Sequence, residues 1–110
     1  MDINQLRRWA IENNVEERTL NGFWKAFENC VLDCPDEIER DFGDLDRKLF
    51  DLRLNRVCLV IDWVNEDRAY ISSIIPIIYK GKEMGYYELM FKITGETFDD
   101  YLVTDGVAHI

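Results

Sequence analysis

Residues 86–94 read YYELMFKIT, and this stretch decides the fold because its side chains alternate with a period of two. The residues of one set are Tyr87, Leu89, Phe91 and Ile93, and those between them are Glu88, Met90, Lys92 and Thr94. Successive side chains of a strand point to opposite faces of a sheet. The alternation therefore predicts a strand with one buried and one solvated face, which is typical of antiparallel sheets.

Three more strands are predicted around this one. Gly95 and Glu96 fit a two-residue turn, after which TFDDYLVT returns as the last strand. On the other side, RVCLVIDWV is apolar at every second position, and NEDR turns the chain into the apolar run that begins at Ala69. The predicted strands of this antiparallel meander are 56–64, 69–79, 85–94 and 97–104.

Pro76 interrupts the second predicted strand, which contains SSIIPIIY at 72–79. Proline lacks the N–H that a ladder between two neighbouring strands needs. If Val64 pairs with Ala69, Pro76 lies opposite Val57, and we predict that pairing with the first strand stops there, with a bulge as one way to achieve this. The flanking isoleucines are apolar on both faces, so one face is expected under helices, and the other is either further core or a surface for a partner.

The first half of the chain has a helical period, with predicted helices at 3–12, 15–33 and 35–53. The second carries the clearest apolar stripe, and the third begins at Pro35 and contains Gly43 as a candidate kink or break. We therefore predict a single α+β domain over 1–110, with helices at about 3–53 packed on one face of a four-stranded sheet at about 56–104. The residues expected to be buried are Trp24, Phe27, Leu59, Ile61, Leu89 and Phe91.

The net charge of -9 and the pI near 4.5 narrow the class of partner. Nucleic acids are held by clusters of lysine and arginine, so we expect no nucleic-acid binding. The longest apolar runs are far shorter than the roughly 18 residues of a membrane span, and the start of the sequence lacks a signal peptide, so we expect a cytoplasmic protein without a membrane partner. The acidity is explained either by solubility or by long-range attraction of a basic protein.

No motif for catalysis, a cofactor or a metal stands out. The candidate zinc ligands are Cys30, Cys34, Cys58 and His109, but the first lies on an apolar stripe and the third inside a predicted strand, which favours buried thiols. The acidic groups are Asp62, Glu66 and Asp67, and Glu96, Asp99 and Asp100, and a solvated turn or edge explains them better than a cation site. We therefore predict that the protein is not an enzyme and needs no cofactor.

A small acidic chain with amphipathic helices, followed by a meander that ends in YYELMFKITGETFDDYLV (86–103), resembles the immunity proteins that neutralise polymorphic or contact-dependent bacterial toxins. The resemblance implies a non-enzymatic inhibitor that binds a cognate toxin domain and blocks its active site, and it assigns no role to any residue. The alternatives are another intracellular interaction protein, whether regulatory, chaperone-like or phage-encoded, or a small-molecule-binding domain or enzyme with a pocket between helices and sheet.

The last predicted hairpin is the candidate partner-binding site. No lysine or arginine follows Lys92, whereas acids and aromatic residues alternate there. Complementary charge raises the rate of association, and aromatic residues supply much of the affinity. The candidate residues are Glu96, Phe98, Asp99, Asp100, Tyr101 and Asp105. The alternative is an acidic edge strand that discourages aggregation.

We predict that Cys30, Cys34 and Cys58 are reduced and hold no metal, because an odd number of thiols without an export signal is typical of a reducing compartment. Elemental analysis of protein purified without added metal is expected to show no bound zinc. One equivalent of zinc that disappears in Cys30→Ser would contradict the prediction.

Overall fold

The computed structural model describes residues 1–104, apart from the side chain of Glu66, and shows three helices packed on one face of an antiparallel sheet. The helices are α1 (Ile3–Glu12), α2 (Val15–Asp33) and α3 (Pro35–Phe42). The strands are β1 (Phe50–Asp51), β2 (Arg56–Val60), β3 (Tyr70–Tyr79), β4 (Lys82–Lys92) and β5 (Thr97–Thr104). Short 3-10 turns occupy Arg47–Leu49 and Glu66–Arg68. The predicted α+β class, with N-terminal helices on an antiparallel meander, is confirmed.

Local signals in the sequence account for the starts of two helices. Asp2 and Gln5 form a capping box in front of α1, in which each side chain accepts from the other residue's backbone N–H at 2.8 Å. Pro35 begins α3, where its missing N–H would have no helical partner in any case. These two boundaries agree with the prediction.

The predicted third helix over 35–53 is wrong in its second half. α3 ends at Phe42, and the residue that follows, Gly43, has a φ of 66°, a positive value that glycine adopts without strain. Leu45 and Leu52 still pack against the core, although from irregular and extended segments. Their helix-like spacing reflects burial against the same core, and periodicity alone cannot separate that from a continuous helix.

The sheet has the order β1-β3-β4-β5, with β2 also paired to β3, so β1 and β2 share one edge. β2 pairs Val57 with Ser73 and ends where Val60 meets Tyr70. The predicted strand 56–64 is therefore too long, and Ile61, which was expected to be buried, is 59% exposed. The physical reason is a turn at Asp62, whose Oδ1 accepts from the backbone N–H groups of Val64 and Asn65 at 3.1 and 3.2 Å.

Pro76 lies where the shared edge is interrupted. Arg56, the first residue of β2, pairs with Ile74. Further along β3, pairing at this edge resumes at Ile78, whose partner is Asp51 of β1. The prediction that pairing with the first long strand stops near Pro76 is confirmed, although the predicted Pro76–Val57 register is wrong. The β4 side remains paired at Pro76, and a bulge follows between Ile77 and Ile78.

The core forms between α2 and the inner face of β3 and β4. Phe23 and Phe27 stack at 5.5 Å between ring centroids, and Phe50 packs edge-on against Phe27 at 5.3 Å. Phe27, Leu89 and Phe91 are buried as predicted. Trp24 and Leu59 are only half-buried, because both lie at the rim of the core and pack against it from one side.

One polar contact is buried inside this core. Thr19 donates to the carbonyl of Val15 at 2.6 Å, as a helical threonine can, and its Oγ1 lies 2.8 Å from Oγ of Ser73. Ser73 also lies within 3.2 Å of the carbonyl of Leu89. Since a buried hydroxyl without a partner is costly, this chain of contacts sets where α2 sits along β3 and β4.

We expect Thr19→Val and Ser73→Ala each to lower the free energy of unfolding by about 1–2 kcal/mol, because each leaves the other hydroxyl with fewer partners in the core. The double variant should lose less than the sum of the two, since the residues share one contact. Urea unfolding of the four proteins measures this coupling. Strictly additive losses would show that the hydroxyl contact contributes nothing.

Candidate functional site

The helices leave one face of the sheet uncovered, and we call it the open face. Residues that pair between neighbouring strands form rows across the open face, and two of these rows contain four residues each. The first row is Arg56, Ile74, Glu88 and Tyr101, and the second is Cys58, Ser72, Met90 and Asp99. Val60, Tyr70 and Lys92 form a third row, which Phe98 joins through its ring contact with Tyr70.

Aromatic side chains line the β5 side of the open face. Phe98 packs edge-on against Tyr70, with centroids 5.6 Å apart and planes at 86°. Phe98 and Tyr101 are 47% and 49% exposed, and Tyr86 is 38% exposed. Tyrosine and other aromatic residues are enriched at the centres of protein interfaces, where they gain contact area at low entropic cost.

Two carboxylates lie among these rings. Glu88 accepts a hydrogen bond of 2.5 Å from the hydroxyl of Ser72, and it lies opposite Tyr101 on β5. Asp99 accepts from the hydroxyl of Tyr101 at 3.1 Å and from the backbone N–H of Asp100 at 2.9 Å. Within residues 1–104, neither carboxylate forms an ion pair with a lysine or arginine. Both negative charges thus remain available to a cation from outside.

The basic residues of the open face stand at its margins. Lys92 lies at one end of β4, and its Nζ is 3.9 Å from Oε2 of Glu96, which partly offsets its charge. Arg56 begins β2, at the opposite edge of the sheet from Asp99. The β5 side of the open face is therefore acidic and aromatic, and Glu88 adds a carboxylate nearer its centre.

A cavity of about 530 Å³ lies at the Tyr70 end of the open face. Tyr70, Ile93 and Phe98 supply its apolar lining, and Asp62 and Asp67 contribute carboxylates together with the cations of Arg68 and Lys92. The turn that includes Asp62 also carries Trp63, which is 91% exposed. This end of the face offers both a recess and a projecting aromatic ring.

The structure divides the predicted partner-binding residues. Phe98, Asp99 and Tyr101 come together on the open face. Asp100 points to the helical side, where it accepts a 2.7 Å hydrogen bond from the hydroxyl of Tyr87. Glu96 lies in the turn beside Lys92. Asp105 lies outside the described residues.

Glu88, Ser72 and Tyr70 also belong to this surface, although the sequence pattern did not identify them. The alternation in β4 does place Glu88 on the solvated face, so that signal was available. Its proximity to Tyr101 depends on the register between β4 and β5, which includes a bulge between Met90 and Phe91. No local pattern gives that register.

Tyr87 passes beneath α2 to reach Asp100. Gly22 makes this possible, because a Cβ at that position would collide with the Tyr87 hydroxyl. Burial, reinforced by the hydrogen bond to Asp100, raises the pKa of Tyr87 well above its ordinary value. On the other face, the hydrogen bond to Asp99 is the main cause that raises the pKa of Tyr101. Adjacent aspartates thus serve two tyrosines on opposite sides of the sheet.

Side chains able to bind a metal do not cluster in the part of the chain that is described. Across residues 1–104, no group of three or more histidine, cysteine, aspartate or glutamate side chains is placed to hold a metal ion. Cys30, Cys34 and Cys58 are free and half-buried, and burial is the first cause that raises the pKa of Cys30. A raised pKa keeps a thiol protonated and less reactive. His109 lies outside the described residues.

None of the helices between residues 1 and 104 is long and apolar enough to cross a bilayer. No protein-family model matches the chain, and neither a curated protein nor a solved structure matches it. The open face, with Glu88 and Asp99 among exposed aromatic rings, is therefore the candidate site on the strength of its own geometry.

We expect Asp99→Asn to lower the pKa of Tyr101 and to leave that of Tyr87 unchanged, because the two tyrosines lie on opposite faces. Asp100→Asn should lower the pKa of Tyr87 only in part, since burial is the main cause of its shift. Titration of the tyrosine Cζ resonances by NMR distinguishes the two. A shift of both tyrosines in either variant would contradict this separation.

Proposed function

We propose that the protein is a non-enzymatic binding module that docks a basic protein on its open face. The observation that carries the proposal is the pair of carboxylates, Glu88 and Asp99, set among exposed aromatic rings with no cation bonded to either within residues 1–104. A lysine or arginine of a partner can meet a carboxylate and the face of a tyrosine at the same place.

Charge acts at two distances in this proposal. At long range, the net charge of -9 attracts a basic partner and raises the rate of encounter. At short range, Tyr101, Phe98 and Tyr70 provide the apolar contact area that slows dissociation. The partner that fits is therefore a protein with a cationic surface that surrounds apolar residues.

An immunity-type inhibitor is the form of this function that we favour. It would occupy the active site of a cognate toxin domain in the cytoplasm of the producing cell, with steric occlusion rather than catalysis as the mechanism. The support is the resemblance in pattern to immunity proteins and the acidic, aromatic open face. A regulatory or chaperone-like interaction protein would use the same surface, and the identity of the partner separates these roles.

We expect affinity capture from the source cells, followed by mass spectrometry, to recover a basic protein whose retention falls as salt rises. Glu88→Gln with Asp99→Asn should slow association by about threefold or more at low salt, because two charges leave the contact surface. The matched control is Glu12→Gln with Glu39→Gln, which removes the same charge from exposed positions on α1 and α3.

Equal association rates for the two double variants, at unchanged melting temperature, would contradict docking on the open face. If the control variant alone slowed association, the helical layer would be the binding surface. Recovery of an enzyme substrate or a small molecule in place of a basic protein would contradict the proposed class of function.

A further inference from the structure

The two edges of the sheet differ in their capacity to take another strand. One edge is divided between β1, which spans only Phe50–Asp51, and β2, with the segment Leu52–Asn55 between them. Short and interrupted edge strands resist further pairing. The other edge is β5, which runs from Thr97 to Thr104 and, within residues 1–104, pairs only with β4.

β5 is regular along most of its length. The bulge in its pairing leaves Phe98 as the extra residue, since Met90 pairs with Asp99 and Phe91 pairs with Thr97. From Asp99 onward the register is continuous to Thr104, which pairs with Gly85. A strand presents its remaining N–H and C=O groups to the side away from its neighbour, so this stretch is a template for one more strand.

We propose that the Asp99–Thr104 edge of β5 accepts an extended basic segment of the partner protein as an added strand. This inference rests on the proposed function and names the part of the partner that the site takes. Main-chain hydrogen bonds along the edge would hold the segment, and its side chains would select it by charge.

The carboxylates of β5 favour a basic occupant, most clearly on the open face, because Arg18 and Lys25 line the recess beside Asp100 on the helical side. Asp99 projects on the open face and Asp100 on the helical side, so an added strand meets a carboxylate whichever way its side chains alternate. Opposite charges on neighbouring strands stabilise pairing, and like charges oppose it. Asp100 accepts from Tyr87 yet remains exposed, so it can also receive a second donor.

A second copy of the chain is a poor occupant of the same edge. Two copies paired through β5 would place four carboxylates, from both Asp99 and Asp100 side chains, along one ladder. Each molecule also carries a net charge of -9, which opposes self-association at low salt. The carboxylates therefore discourage pairing with itself and favour a cationic strand.

The edge is continuous with the open face. Every second side chain of a strand added to β5 would lie on the open face, beside Asp99 and Tyr101. These side chains would extend the rows in which Asp99 pairs with Met90 and Tyr101 pairs with Glu88. The exposed ring of Tyr101 would cover the aliphatic part of a lysine or arginine side chain. Main-chain pairing and contacts on the open face would thus reinforce each other.

The test uses the 15N-labelled full chain and a synthetic nine-residue peptide, Thr-Lys-Val-Lys-Thr-Lys-Val-Lys-Thr, as the probe. We expect chemical-shift changes centred on β5 and slower amide exchange for every second residue between Asp99 and Thr104. A peptide with the same side chains but a methyl group on every internal backbone nitrogen keeps its charge and loses its donors. It should bind at least about tenfold more weakly.

Charge reversal supplies the second measurement. Asp99→Asn should weaken binding of the lysine peptide about two- to fivefold at low salt. Asp99→Lys should weaken it further and should improve binding of the matching peptide with glutamate in place of lysine. The protein should remain monomeric in sedimentation at every salt concentration used.

Any one of the following results would overturn the inference: no binding of the lysine peptide at millimolar concentration, equal binding of the methylated peptide, or dimerisation through β5. Binding without slower exchange in β5 would likewise exclude strand addition. These outcomes leave the capture experiment with Glu88→Gln and Asp99→Asn unaffected, so the proposed function can hold when strand addition fails. If capture fails too, the open face does not bind a basic protein at all.

Discussion

The packing of α2 against β3 and β4 is the constraint on which the rest of the structure depends. Phe23 and Phe27 supply its apolar contact, and the buried hydroxyls of Thr19 and Ser73 set its position along the strands. A shift of α2 along the sheet would leave these buried hydroxyls without partners. The free-energy cost of such a shift is therefore larger than it would be for a purely apolar contact. The helical layer is thereby confined to one face, and the other face is left to solvent or to a partner.

The neighbouring residues Asp99 and Asp100 show how strand geometry separates two roles. Asp100 accepts from Tyr87, which reaches it past Gly22 beneath α2, and so belongs to the support of the fold. Asp99 accepts from Tyr101 on the open face, where both remain exposed. A change of one residue along a strand reverses the face, so adjacent acids in β5 differ in what they contact and in what their removal would affect.

Under the proposed function, the same surface would serve both solubility and binding. Exposed aromatic rings on an open sheet invite association, and in this proposal the carboxylates of Glu88 and Asp99 would limit it to partners of opposite charge. Acidic side chains on β5 oppose its pairing with β5 of a second copy of the protein. The same side chains would favour pairing with a basic strand. The two explanations for the acidity of the chain, solubility and attraction of a basic partner, are therefore compatible.

Local sequence signals by themselves determined the α+β class, the starts of the three helices and the existence of the four long strands, though not the bounds of every strand, because capping residues and helical or strand periods depend on near neighbours. Pattern also identified Phe98, Asp99 and Tyr101 as candidates. Only the tertiary structure decided that α3 ends at Phe42, that β2 ends at Val60, and that Asp99 rather than Asp100 lies on the open face. Glu88 joins that site through the β4–β5 register and its bulge, and register is decided by packing between segments distant in the sequence.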